Sequence, residues 1–174
     1  MTDLDAIRAA AHRYSRGLDR LDLDLMQSAY WPDGTDDHGT FIGNAHAFCA
    51  RTVTSHARFA STMHCILNHH VELGADGMTA HGEVYSIVHL QGRDEAGEPV
   101  LDTWGGRYLD TYEQRGGEWR ILHRICIHEW DKREALDRPM PVDATLFRQG
   151  SEDRGNRQPL GRLAPRPVPP GPQA

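Results

Sequence analysis

At 174 residues with 39% hydrophobic composition, the chain is sized for one domain around one core. A formal net charge of −6 with no Lys/Arg run argues against nucleic acid as a partner. No stretch approaches the ~18 consecutive apolar residues needed to span a membrane, and the acidic opening MTDLDAIRAA lacks the cationic-then-apolar order of a signal peptide. A cytoplasmic protein is expected. Its three cysteines, Cys49, Cys65 and Cys126, are odd in number and unrelated in spacing, which fits neither a disulfide framework nor a zinc site. The unusual feature is eleven histidines, many of them inside apolar stretches.

No internal repeat is present. Leu4, Ile7, Ala11, Tyr14 and Leu18 recur at helical spacing, which predicts an amphipathic helix over 3–19. Asp22 is placed to cap a second, short helix through Leu25, Met26 and Ala29. Pro32-Asp33-Gly34 reads as a chain break. A short strand follows over 35–42, then a helix over 45–59 that stacks Phe48, Thr52 and His56 at i+4 steps. Strands are predicted over 63–73 and 79–90, separated by the turn Gly74-Ala75-Asp76-Gly77. Residues 92–99 form a polar hairpin loop. Two more strands, 102–114 and 118–129, flank the hairpin turn Arg115-Gly116-Gly117. Helices first and a strand meander after argue for α+β architecture, with helices against one face of a curved antiparallel sheet. The domain is expected to span 1–135. The extension 136–174 becomes Pro/Gly/Arg-rich from Gly150 and cannot form a core; it is expected to be disordered or packed on a neighbouring subunit.

The candidate chemistry starts with Asp19. It flanks the apolar stripe of the first helix and can face a cavity between helix and sheet, or be a solvated helix-end carboxylate. His64 opens an apolar strand and, in the strand period, shares a face with Ile66 and Asn68; it is either a hydrogen-bonded core histidine or a base. A carboxylate that orients an imidazole makes a competent base near neutral pH. Arg124 lies within the apolar run 121–127, where a guanidinium requires either a carboxylate (Asp110, Asp102 or Glu83) or an anionic substrate group. Tyr85 and Tyr108 sit mid-strand and either pack in the core or place a hydroxyl in a pocket. Three consecutive polar residues, Asp36-Asp37-His38, imply that one of them faces inward. His81-Gly82-Glu83 lacks the Pro-Cys-x-x-Cys partner of zinc deaminases, and adjacent His69 and His70 point to opposite strand faces, so no metal site is expected. Gly105-Gly106 has no following Lys-Ser/Thr, and no nucleophile elbow is present.

Three segments, HRYSRGLDRLDLDLMQSAYWPDG, MHCILNHHVEL and GGRYLDTYEQRGGEWRILHRICIHEWD, resemble the SnoaL-like family of the nuclear transport factor 2-like superfamily. The likeness covers about residues 3–131 and implies a cone-shaped α+β barrel, a mixed or antiparallel sheet wrapped around N-terminal helices. It also implies kinship with lyases of the scytalone dehydratase, hexachlorocyclohexane dehydrochlorinase and bile-acid dehydratase types. These use a His base oriented by an Asp of the first helix. By that resemblance Asp19 is the orienting carboxylate, His64 the base, Arg124 the pocket arginine and Tyr85 a pocket residue of the middle strand. Asp37, His38, Asn68, Trp104 and Tyr108 are the candidate substrate contacts. The resemblance implies no organic cofactor and no metal. It implies a small, aromatic or alicyclic substrate that loses water, a halide or a carbonyl fragment such as formaldehyde, as in the catabolism of aromatic compounds. It further implies a homo-oligomer, most simply a trimer, and no nucleic-acid or membrane partner. Isomerases, cyclases and binding proteins share the family, and one scaffold hosts many chemistries.

Overall fold

The computed structural model describes residues 2–138 together with Pro141 and Asp143. The expectations made for the tail fall, but for 136–138, Pro141 and Asp143, on residues outside these. Three helices, α1 (Asp3–Asp19), α2 (Leu23–Gln27) and α3 (Ala45–His56), accompany six strands: β1 (Tyr30–Asp37), β2 (Ile42–Asn44), β3 (Ser61–Leu73), β4 (Thr79–Arg93), β5 (Pro99–Arg115) and β6 (Glu118–Ala135). The strands form one curved, unclosed sheet in the order β2-β1-β6-β5-β4-β3. Among the described residues no helix is long and apolar enough to cross a membrane.

Both early helices start where side chains satisfy their first amides. Thr2 accepts from the Asp5 amide and the Asp5 carboxylate accepts from the Thr2 amide, a reciprocal capping box. Asp22 caps α2 by accepting from the Leu25 amide at 3.1 Å. The stripe of α1 that the sequence marks is the buried one, with Ile7, Tyr14 and Leu18 against the sheet. Trp119 of β6 joins the same core and donates its indole N–H to Asp3 at 2.9 Å, tying the last strand to the first helical turn.

Three features depart from what the local sequence pattern suggests, each for a physical reason. Pro32-Asp33-Gly34 does not break the chain but lies within β1. The β1–β6 register shifts between Tyr30 and Thr35, so the proline occupies the irregular part of the ladder, where its missing N–H costs no regular bond. The strand expected over 35–42 is divided between β1 and β2 by a turn at Gly39, whose φ of 69° suits glycine. The sheet is mixed, as the family resemblance allows and the strand meander alone does not suggest, since β1 runs parallel to β6. That pairing joins residues about ninety positions apart, which a local pattern does not reveal.

Gly17 sets the spacing of α1 and α2. A Cβ there would stand 2.4 Å from the Met26 amide nitrogen and 2.7 Å from its Cα. Backbone atoms cannot turn aside as a side chain can. Gly17→Ala should therefore destabilise the fold by about 1–3 kcal/mol through overpacking, although alanine is the better helix former by about 1 kcal/mol. Chemical denaturation of the two proteins checks the sign; equal or greater stability of the variant would contradict this packing.

Candidate active site

Asp19, the last residue of α1, points its carboxylate at the start of β3. Thr62 and His64, on one face of β3, both reach it. The Thr62 hydroxyl donates to Oδ1 at 2.9 Å, the His64 amide donates to Oδ2 at 2.9 Å, and His64 Nδ1 lies 2.7 Å from Oδ1. Asp19 is thus a buried, triply bonded acceptor and not a solvated helix-end carboxylate. Burial pushes its carboxyl upward, but the imidazole, its charge, the amide and the hydroxyl together hold it below the ordinary value of 3.8. Because Nδ1 is occupied, Nε2 is the His64 nitrogen left for a ligand.

His64 forms part of the wall of a cavity of about 620 Å³ open to solvent. Tyr14 and Leu18 of α1 line it, as do the stacked Phe48, Thr52 and His56 of α3, and Leu90, Trp104 and Tyr108 of the sheet. Trp104 and Tyr108 stack with centroids 6.0 Å apart, and the His56 ring is 6.0 Å from that of His64. Cys126 also borders the cavity, but burial pushes its thiol up to about 12, so it is no ready nucleophile.

A second imidazole faces the same space. His38 stacks on Phe48 at 4.3 Å, and its Nε2 is 3.5 Å from the Tyr14 hydroxyl. Its Nδ1 contacts Asp36 Oδ1, while Asp36 Oδ2 accepts from the Tyr30 hydroxyl at 2.7 Å. Both Asp36 and His38 therefore face inward, where the sequence suggests one inward residue of the three.

The remaining expected site residues lie elsewhere. Arg124 is fully buried and spends Nε and Nη2 on the two carboxylate oxygens of its register partner Asp110, each at 2.7 Å. Its guanidinium is sandwiched between the rings of Tyr14 and Tyr108, 4.3 and 4.2 Å from their centroids. Of the two readings of Arg124, the ion pair with Asp110 is the observed one. Asp102 and Glu83 serve Arg133 and Arg107 instead. Tyr85 is 43% exposed on the opposite face of β4, over Arg107, because strand alternation that turns Val84 and Ser86 inward turns Tyr85 out. Asp37 also points away from the cavity and accepts the Gly39 amide at 2.9 Å, fixing the turn. Asn68 is exposed because the β3 register shifts between Ile66 and His69, so the period that starts at His64 does not reach it.

Thr62, Tyr14, Phe48 and His56 were not singled out as site residues. Thr62 had a usable signal, two positions before His64 and therefore on the same strand face. Among the described residues no group of three His, Cys, Asp or Glu side chains is arranged to hold a metal ion.

With this geometry in view, the fold has many counterparts. A protein of unknown function from Mycobacterium tuberculosis aligns at 22% identity over 73% of this chain and 72% of its own, with a TM-score of 0.62. A candidate scytalone dehydratase from Novosphingobium aromaticivorans aligns at 16% identity over 81% and 95%, with a TM-score of 0.66. A hexachlorocyclohexane dehydrochlorinase from Novosphingobium barchaimii aligns at 18% identity over 81% and 100%, with a TM-score of 0.65. At these identities the likeness is one of fold alone. No curated protein matches the sequence. The family model described as the SnoaL-like domain matches residues 1–125, and the chain belongs to that family.

Proposed function

We propose that this protein is a lyase that needs no cofactor and acts on a small organic molecule, aromatic or alicyclic, by general acid–base chemistry. The observation that carries this reading is the Asp19–His64 hydrogen bond at the wall of an aromatic-lined cavity. His64 Nε2 takes a proton from substrate carbon or hydroxyl. Asp19 holds the ring in the Nδ1–H tautomer and supports the imidazolium that forms. Phe48, Trp104 and Tyr108 offer flat surfaces suited to a ring or a conjugated chain. Arg124 acts from behind the Tyr14 and Tyr108 rings and not by direct contact, because both of those rings and Asp110 enclose it. The dehydratase and dehydrochlorinase counterparts support elimination of water or halide; an isomerase or cyclase would use the same base with no departing group. A cytoplasmic location suits a small, soluble substrate of this kind.

A trimer is proposed for the assembly. The outer sheet face exposes Met63, Leu67, Tyr85, Ile125 and Trp130, apolar side chains that a subunit contact would cover. Light scattering should give three times the monomer mass, and Leu67→Asp should lower it; a monomeric wild type would contradict the assignment.

His64→Ala should remain folded, less stable by about 1.5–3 kcal/mol for the one hydrogen bond lost at Asp19, while cutting turnover per folded molecule by roughly 10²–10⁴-fold in assays with aromatic and alicyclic alcohols, following release of water or formaldehyde. Asp19→Asn should also cut turnover strongly, and the double variant should be little worse than the worse single, since the pair acts as a unit. Activity that merely tracks the folded fraction would reject the catalytic role.

The same carboxylate makes a pH-dependent contribution to stability. Folding lowers the Asp19 carboxyl, so its stabilisation is fully present above the ordinary value of 3.8 and is lost as pH falls through the lower folded value. Wild type should exceed Asp19→Asn by about 1.5–3 kcal/mol at neutral pH. That gap should shrink below pH 3.8. A gap independent of pH in urea melts would contradict the ionised, hydrogen-bonded state.

A further inference from the structure

His38 and His64 border one cavity, and each commits Nδ1 to a buried carboxylate. The two carboxylates differ in what satisfies them. Asp19 receives the Thr62 hydroxyl and a backbone amide besides His64. Asp36 is 1% exposed and receives Tyr30 and His38. Arg124 is its register partner across β6, but Nε and Nη2 of Arg124 are taken by Asp110 and Nη1 makes no hydrogen bond among the described residues. The buried set Asp36, Asp110 and Arg124 is therefore one positive charge short. A buried carboxylate without its own cation is costly, and His38 is the group in contact with Asp36 that is able to carry a proton on each ring nitrogen. Two imidazoles on one cavity, each backed by a carboxylate in different surroundings, are the arrangement an acid and a base sharing one site require.

We infer that His38, positioned by Asp36, is the general acid of this cavity and protonates an oxygen leaving group, so that the site acts on substrates that expel oxygen and not halide. A halide departs as a stable anion and has no use for such an acid, whereas hydroxide, alkoxide or phenoxide does. The inference rests on His64 being the base. In the elimination His64 Nε2 takes the proton of a C–H bond, whose electron pair becomes the new π bond. The bond to oxygen breaks with its pair on oxygen, and His38 Nε2 delivers its proton there, releasing water or an alcohol. The proton gained by His64 returns to His38 through water in the open cavity, so the protein is unchanged after each turnover.

Two flat aromatic probes separate these roles, the unsubstituted benzisoxazole and the analogue with a nitro group para to the ring oxygen. Removal of the single heteroring C–H proton breaks the N–O bond and gives a cyanophenol from either compound. Only the unsubstituted one leaves as a basic phenoxide that gains from an acid. Wild type should accelerate both, and His64→Ala should abolish both accelerations. His38→Gln should slow the unsubstituted compound by roughly 10²-fold and the nitro compound far less. Asp36→Asn, tested as a positioning variant, should show the same selectivity, which a loss of folded protein alone would not produce. Equal slowing of both probes, or of neither, in His38→Gln that retains the wild-type melting temperature would overturn the acid role while leaving His64 as base. Acceleration unchanged by His64→Ala, or none in wild type, would overturn the base reading and this inference with it.

Discussion

The hydrogen bonds at Asp19 join the two layers of the molecule. A helix ends there, an edge-side strand begins, and three donors of that strand converge on one carboxylate. Hydrogen bonds to a charged acceptor are worth about 1.5–3 kcal/mol each where desolvation is matched by good geometry. The constraint is directional as well as energetic. It fixes the His64 ring against α1, at the wall of the cavity, by engaging Nδ1 and not Nε2. The helix pair above it is set by backbone contact at Gly17, so Asp19 cannot drift without moving α2.

A second polar system runs beneath the cavity floor. Asp110, Arg124, Asp36 and Tyr30 are all buried, and Tyr14 and Tyr108 cover the guanidinium from either side. A buried ion pair of this sort adds little net stability compared with an apolar replacement, but losing one partner costs about 3–5 kcal/mol. Burial raises the hydroxyls of Tyr14 and Tyr108 well above their ordinary range while the Arg124 charge opposes that rise. The arrangement keeps both tyrosines neutral as hydrogen-bond donors at the cavity surface. It also accounts for Asp36, Asp110 and Arg124 lying inside apolar stretches of this sequence, since each finds a polar partner within the set.

Much of the fold was legible because its signals are local. The bounds of α1, the Asp22 cap and the long strands follow from periodicity and capping chemistry. The parallel β1–β6 pair, the proline inside β1 and the shift in β3 depend on partners distant in sequence. The site divides the same way. Asp19 and His64 were reached through family resemblance, since no spacing rule links residues 45 apart. Periodicity alone misplaces Asn68, because one register shift reverses the faces beyond it. Tyr85 fails for the simpler reason that its strand neighbours face inward. Arg124 could be assigned to a carboxylate or a substrate from sequence, and register decides for Asp110. Asp36 was the least visible, being one of three adjacent polar residues whose faces depend on the turn at Gly39.

The central claim is that Asp19 makes His64 a base directed at the cavity. Heteronuclear NMR of the His64 ring nitrogens in the free protein near neutral pH tests it most directly. The account predicts a proton on Nδ1, shared with Asp19, and a bare Nε2, with this tautomer preference lost in Asp19→Asn. A proton on Nε2 with Nδ1 bare, or a ring indifferent to Asp19→Asn, would contradict it.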